Sequence, residues 1–437
     1  MSKISFDVGL AKASHAPSVK SMGITGQLTG SRADLIIADD IESANNSQTQ
    51  LMRDKLSETV KEFESIVKPG GRIMFLGTPQ TEMSIYNLLE ERGYKTRIWC
   101  ARYPDEKLKV AYANKLAPII AHSDAEINTP TDPKRFDHDD LTEREMSYGK
   151  SGFALQFMLD VSLSDANKYP LKINDLMVLS GVHSWSEAPV SLKWASGSDQ
   201  LDGCKMLPNL GLKGDYWVTP MHIADTYADW EGSVMAIDPA GRGKDETGYA
   251  VVKMLHGYLY LTASGGLMNG YSTESLDVLA EVAKEQKVNQ ILVESNFGDG
   301  MFTQLLKPVL TKTYPCSIEE VRHSTQKEKR MIDTLEPVLN SHKMVIDEKI
   351  IKEDFESEQD LKYKLFYQLT RLTRDRGALI HDDRLEALSM AVNYWTEIMD
   401  RDAEDAVEEH KEHLLHLELE KFMDHAIGGT KTQHYKW

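Results

Sequence analysis

Three separated stretches of this 437-residue chain lead into carboxylates. Val234 to Ile237 is an apolar run that reads as a buried strand and ends at Asp238. Gln290-Ile-Leu-Val-Glu294 repeats the pattern, and His381-Asp-Asp-Arg-Leu-Glu-Ala-Leu388 places Asp382 and Asp383 at the start of an amphipathic helical pattern. An acid at the end of a buried strand is costly unless something compensates it, and a divalent cation is one such partner. Acids converging from two strands and a helix start make a hard, oxygen-rich site suited to Mg²⁺ or Mn²⁺ rather than zinc. Two ions there could clamp the attacking and leaving oxygens of a phosphodiester. The competing reading is that these acids only cap strand ends and a helix N-terminus, where Asp is a common cap. Three acids in matching topological order weigh against it.

A second set lies upstream. Leu35-Ile-Ile-Ala-Asp-Asp-Ile-Glu42 is an apolar strand ending in acids, the look of a Walker B strand, in which one acid holds Mg²⁺ and a neighbour activates water. Arg72 to Gln80 is another buried strand that ends in the turn Gly77-Thr78-Pro79. The glycine-rich loop Gly23 to Gly30 is not a phosphate-binding loop, because it lacks the Gly-Lys-Ser/Thr ending, and no full Gly-x4-Gly-Lys-Ser/Thr run occurs in the chain.

The elements that must position these residues follow from periodicity. From Leu35 to Ala101 the chain alternates strand, helix, strand, helix, strand, with the last strand at Thr96–Ala101, the pattern of a parallel α/β sheet. Asp139 to Asp160 reads as a helix. Ser162 to Glu231 has no clear periodicity and reads as a partly structured connection, with Trp185, Trp194, Trp217 and Trp230 expected in core packing rather than stacked on bases. From Ser233 the order is three strands in a meander, helix, strand, helix, strand, helix, and a last helix with Leu385, Leu388, Val392 and Trp395 along one face. Acids on the first strand, the fourth strand and the final helix give the arrangement of a ribonuclease-H-like nuclease. The expected domains are 1–165, 166–230 (irregular insert), 231–399 (nuclease) and 400–437 (acidic helical tail, with His410, His413 and His416 on a solvated face).

Composition narrows the choices. A net charge of −18 argues on its face against nucleic acid. The acidic stretch Asp400–Asp424 carries much of that charge, however, and basic residues cluster near the proposed site: Arg242, Lys244, Arg322, Lys327, Lys329 and Arg330. Cys100, Cys204 and Cys316 have no metal-ligand or redox spacing, and no apolar run is long enough to span a membrane.

Taken together the motifs resemble the large terminase subunit of tailed double-stranded DNA phages, above all the short-tailed type. The matching stretches are Pro17–Asp34, Ile36–Asp40, Leu76–Met83, Thr131–Phe136, Asp238–Val251, Glu294–Phe302 and His381–Arg384. The resemblance spans nearly the whole chain and weakens at about 171–230 and in the tail. It implies an α/β packaging ATPase joined to a ribonuclease-H-like nuclease of mixed sheet flanked by helices. It also implies a motor that pumps concatemeric DNA through the portal into a procapsid, and a nuclease that cuts it.

Carried over by residue, Asp39 and Asp40, with Glu42 nearby, take the Walker B role, and Gly77, Thr78 and Pro79 the coupling motif. Asp238, Glu294 and Asp383 take the metal triad, with Asp382 and Asp245 accessory. From the local basic charge, and not from the resemblance, Arg242, Lys244, Lys327, Lys329 and Arg330 are expected to meet DNA. The implied cofactors are Mg²⁺ or Mn²⁺, as two ions. The implied partners are double-stranded DNA, the portal protein, the small terminase subunit and further copies in a ring, in the host cytoplasm and transiently on the procapsid. Relatives carry their Walker A region upstream of the point where this sequence starts, so the expectation is a partial ATPase that uses ATP only when that part is supplied. The alternatives are an assembly or docking component, half of a split motor, or a resolvase- or transposase-type nuclease, which leaves the upstream motifs unexplained.

Overall fold

The structure is a computed structural model describing residues 4–9, 17–26, 30–162, 168–195, 197–202, 204–212, 214–240, 245–295, 300–323 and 325–399. The acidic tail, with its three histidines, lies outside the described residues.

Ile4–Phe6 (β1) and Val19–Ser21 (β2) form a small antiparallel pair. Ala33–Asp39 (β3) runs parallel to Val67–Leu76 (β4), and the helix Gln50–Ile66 connects them. That helix repeats apolar residues at helical spacing, and its Leu56, Val60, Phe63 and Ile66 pack against Ile36, Ala38, Ile73 and Phe75 on one face of the strand pair. The opposite face is open: Leu35, Ile37, Met74 and Leu76 are 46–57% exposed. Leu35, Met74 and Leu76 line a broad groove of about 1810 Å³.

The expected third strand at Thr96–Ala101 does not form. Ile98 makes only an isolated bridge to Leu116, giving its carbonyl to Ala117 N and its N–H to the Lys115 carbonyl, while Trp99 is left exposed. The segment pairs with its own downstream loop instead of the sheet. The helix His138–Gln156 then brings Phe153 into burial, and Met158 packs with Cys100 and Tyr112.

The segment expected to be an irregular insert corrects that expectation. Its Met177–Leu179 (β5) is an edge strand of the main sheet, parallel to a strand more than 160 residues later. Three buried apolar residues are too few to show a period. Glu187–Pro189 (β6), Leu192–Lys193 (β7), His222–Ile223 (β8) and Tyr227–Asp229 (β9) form two small antiparallel pairs, β6 with β9 and β7 with β8. Trp185, Trp194, Trp217 and Trp230 all pack in apolar clusters.

The main sheet adds Gly232–Asp238 (β10), Thr247–Leu255 (β11), Tyr258–Leu267 (β12), Gln290–Glu294 (β13), Ser317–Val321 (β14) and Met344–Asp347 (β15). Its seven strands lie in the order β14-β13-β10-β11-β12-β15-β5, with β10–β11 and β11–β12 antiparallel and the other pairs parallel. Helices cover both faces, so the central strands are apolar throughout. Alternate residues go to opposite sides. Val234 and Ala236 meet the helices Lys327–Asn340 and 383–399, whereas Met235 and Ile237 meet Thr273–Glu285 and Met301–Thr313. Contacts between the N-terminal part and this unit include Gln50 N donating to the Ala378 carbonyl at 3.2 Å, Gln50 Nε2 donating to the Tyr367 hydroxyl at 3.5 Å, and Arg371 Nε 3.4 Å from Met83 Sδ.

Candidate active site

β10 and β13 are parallel, with Ile237 beside Val293. Their next residues, Asp238 and Glu294, therefore leave the sheet side by side. Both are buried, at 7% and 8% exposure. Asp383 arrives from the first turn of the helix 383–399. Gly248 makes that approach possible: it pairs with Asp238 across β10–β11, and a Cβ there would overlap the Asp383 carbonyl. The helix start is locked from behind. Arg384, 4% exposed, donates from Nε to Glu246 Oε1 at 2.6 Å, from Nη2 to Glu246 Oε2 at 3.0 Å and from Nη1 to Asp354 Oδ1 at 2.9 Å. Asp354 in turn accepts from Leu365 N and Phe366 N.

The basic residues divide. Lys327 Nζ donates to Asp382 Oδ1 at 2.9 Å and to Asp238 Oδ2 at 3.3 Å. Arg330 is bonded to Glu386 Oε1 and lies 3.8 Å from Glu294 Oε1. Lys329, between them, is exposed. Arg242 and Lys244 lie outside the described residues, as does the loop 296–299 beyond Glu294. Asp245 is exposed, and its Oδ1 is 3.1 Å from His381 Nδ1. His381 is stacked on Tyr363.

Crowding raises the proton affinity of the acids. Burial, opposed by Lys327 and reinforced by Glu294, pushes Asp238 up to about 7. Burial with the charges of Asp238 and Asp382 pushes Asp383 up to about 8. Burial raises Glu386 to about 7 against the pull of Lys327 and Arg330, and burial with Glu386 raises Glu294. Burial alone would lower Lys327, but Asp238, Asp382 and Glu386 outweigh it and hold the ammonium well above its usual range. Asp383 Oδ2 and Glu386 Oε2 are buried without a hydrogen-bond partner. Orphaned acid oxygens in a hard donor set fit a divalent cation.

Sequence reasoning missed Glu386, His323 and the anchoring role of Arg384. Glu386 had a visible signal, because it stands three residues after Asp383 on the same helix and so shares its face.

In the N-terminal part, Asp39 and Asp40 are exposed at the end of β3. Asp40 has φ 49° and donates its N–H to the Leu76 carbonyl. Glu42 is engaged otherwise: 2% exposed, it accepts from Gln80 N at 3.1 Å, Ser84 Oγ at 2.9 Å and Ile85 N at 2.7 Å. It thereby pins the Gly77-Thr78-Pro79 turn and the helix Ile85–Glu91. Gly77 lies under Tyr86, whose hydroxyl donates to the Leu76 carbonyl.

A family model described as the ribonuclease-H-like domain of the bacteriophage T7 terminase matches residues 237–344. The chain is 47% identical over 441 residues to the terminase large subunit of Enterobacteria phage T3, covering 95% of this chain and 74% of that one. Among solved structures, the inhibitor-bound human cytomegalovirus terminase nuclease domain is 17% identical, covers 37% of this chain and 82% of that chain, and has a TM-score of 0.29. The nuclease domain of the large terminase subunit of bacterial virus Sf6 is 15% identical, covers 37% of this chain and 87% of that chain, and has a TM-score of 0.27. No helix among the described residues is long and apolar enough to cross a membrane. The identity to the T3 protein over almost the full chain, together with the nuclease family match across β10 to β15, shows that this chain belongs to the large terminase subunits of short-tailed double-stranded DNA phages, the family that serves viral genome packaging.

Proposed function

We propose that this chain cuts concatemeric double-stranded DNA by metal-dependent phosphodiester hydrolysis, with Mg²⁺ or Mn²⁺, as two ions, held by Asp238, Glu294 and Asp383 and assisted by Asp382 and Asp245. The observation that carries the proposal is the meeting of Asp238 and Glu294 on adjacent parallel strands with Asp383 from the helix packed on Gly248. A divalent cation bound there supplies charge neutralisation and Lewis acidity toward a phosphodiester. The chain's own residues shape the rest. The Arg384 network fixes the height of Asp383, Lys327 keeps a positive charge between Asp238 and Asp382, and exposed Lys329 is placed to meet a DNA phosphate. Arg242, Lys244 and Arg330 are the further candidates for the DNA backbone. Purified chain with supercoiled plasmid and Mg²⁺ or Mn²⁺ is expected to nick and linearise it. Asp238→Asn is expected to abolish cutting in a folded protein, and retained cutting would remove Asp238 from the mechanism.

Residues 1–165 are read as part of the packaging ATPase, with Asp39 and Asp40 as its metal-holding acids and Gly77, Thr78 and Pro79 as its coupling turn. The nuclease unit is 231–399 with β5 added from 166–230. ATP hydrolysis needs a phosphate-binding loop beside these acids, and robust ATPase activity from residues 1–437 alone would overturn that reading. The working assembly is a ring at the portal, with the small terminase subunit, in the host cytoplasm and transiently on the procapsid. A second reading, a docking component, draws on the exposed apolar residues Leu35, Ile37, Met74 and Leu76 of β3–β4. A folded chain that binds metal but cuts no DNA would favour it.

A further inference from the structure

The helix 383–399 carries a second buried acid one turn beyond Asp383. Glu386 is fully buried, and its Oε2 has no hydrogen-bond partner. His323, just past the end of β14, has a buried Nε2 that is also unpartnered. Glu294, at the end of β13, completes the group: one donor atom each from Glu294, His323 and Glu386 lie within 4.8 Å of one another. Three separate elements thus aim two acids and one imidazole at one point. A cation already leans on it, since the Arg330 guanidinium is bonded to Glu386 Oε1 and stands 3.8 Å from Glu294 Oε1.

We infer that Glu294, His323 and Glu386 form a further cation subsite, sharing Glu294 with the neighbouring acids, that takes a divalent transition ion in preference to Mg²⁺, with Mn²⁺ as its probe. The inference rests on the reading of the neighbouring acids as a metal-dependent nuclease site. Its chemistry differs from theirs by one donor. Mg²⁺ holds to oxygen ligands and dehydrates reluctantly, whereas divalent transition ions accept an imidazole ligand, and Mn²⁺ is the paramagnetic one that reports it. Two carboxylates balance the ion's double charge, and the neutral imidazole adds a ligand without adding repulsion. Burial and Arg330 favour that neutral form of His323. Arg330 is the competitor: its guanidinium must yield Glu386 for the ion to seat.

The test is Mn²⁺ titration of the full chain followed by electron paramagnetic resonance, with pulsed detection of nitrogen coupling to the ion. The wild type is expected to show nitrogen coupling. His323→Ala is expected to lose that coupling and one equivalent of bound Mn²⁺, while Arg330→Gln tightens the same equivalent. His381→Ala separates the other nearby imidazole and is expected to retain the coupling from His323. Thermal melts of each variant report folding, and His323, half-buried and without a charged role, is the substitution least disturbing to it. Mn²⁺ that binds through Asp238 but is indifferent to His323→Ala would overturn this inference alone. Absence of any bound Mn²⁺ would overturn it together with the metal-dependent reading.

Discussion

Gly248 and Asp383 are in backbone contact: the glycine's missing side chain is the space that the first turn of the helix 383–399 occupies. A Cβ on Gly248 would overlap the Asp383 carbonyl and stand 2.8 Å from Arg384 N. The same glycine faces Asp238 across the strand pair, so one residue sets the spacing of two acids.

Gly248→Ala therefore tests geometry apart from charge. The clash is with backbone and cannot be relieved by a rotamer change. The expected cost is about 1–3 kcal/mol of stability, typical of overpacking. Plasmid cutting should fall much further than the loss of folded protein accounts for, because Asp383 is displaced from Asp238. Unchanged cutting by the alanine variant would show that the helix start has slack.

The metal-free protein should lose stability as pH rises. Asp238, Glu386 and Asp383 sit near 7, 7 and 8 when folded, whereas an unfolded carboxyl titrates near ~4. Between those values the folded state binds more protons, so stability falls with increasing pH. The contribution is fully present below ~4 and is gone once pH has passed through the folded values. Thermal melts in chelator should show this decline, and added Mn²⁺ or Mg²⁺ should reverse it at neutral pH. A melt that rises with pH through the same window in chelator would contradict the buried-acid account.

Arg384→Ala should unfold the unit rather than only slow it. The substitution leaves Glu246 and Asp354 buried without their cation, and breaking a buried pair in this way costs about 3–5 kcal/mol. Denaturant unfolding measures the loss directly. Arg384→Lys should recover part of it, because an ammonium cannot fork to both oxygens of Glu246 and still reach Asp354.

Glu42→Ala distinguishes a structural acid from a catalytic one. Its carboxylate serves two backbone N–H groups and the Ser84 hydroxyl, and a buried donor left unpaired costs about 1–3 kcal/mol. The variant should lower the unfolding midpoint with no nucleotide present. An unchanged midpoint would return Glu42 to the pool of water-activating candidates.

The site's acids were legible in sequence because an apolar strand that runs into Asp238 or Glu294 is a local signal, and Asp383 stands where a helix pattern begins. The neighbouring pairing that joins them was inferred from element order. What was not legible depends on partners distant in sequence. Met177–Leu179 gains its meaning from β15, 168 residues later, and has too few residues to show alternation. Thr96–Ala101 has strand-like composition but is claimed by the loop around Leu116. Lys327 and Arg330 read as phosphate-binding residues, and their occupation by Asp238, Asp382 and Glu386 appears only once the helix Lys327–Asn340 is laid against the sheet.

The open face of β3–β4 bears on how the protein behaves in a tube. Leu35, Ile37, Met74 and Leu76 offer an apolar stripe on a molecule whose net charge is −18. In dilute buffer, like-charge repulsion opposes the association of copies. At high ionic strength that repulsion is screened within about 3 Å at 1 M salt, while apolar association is not weakened. Salting-out should therefore begin at this stripe, and light scattering that climbs with salt would make storage conditions part of any assay of the enzyme.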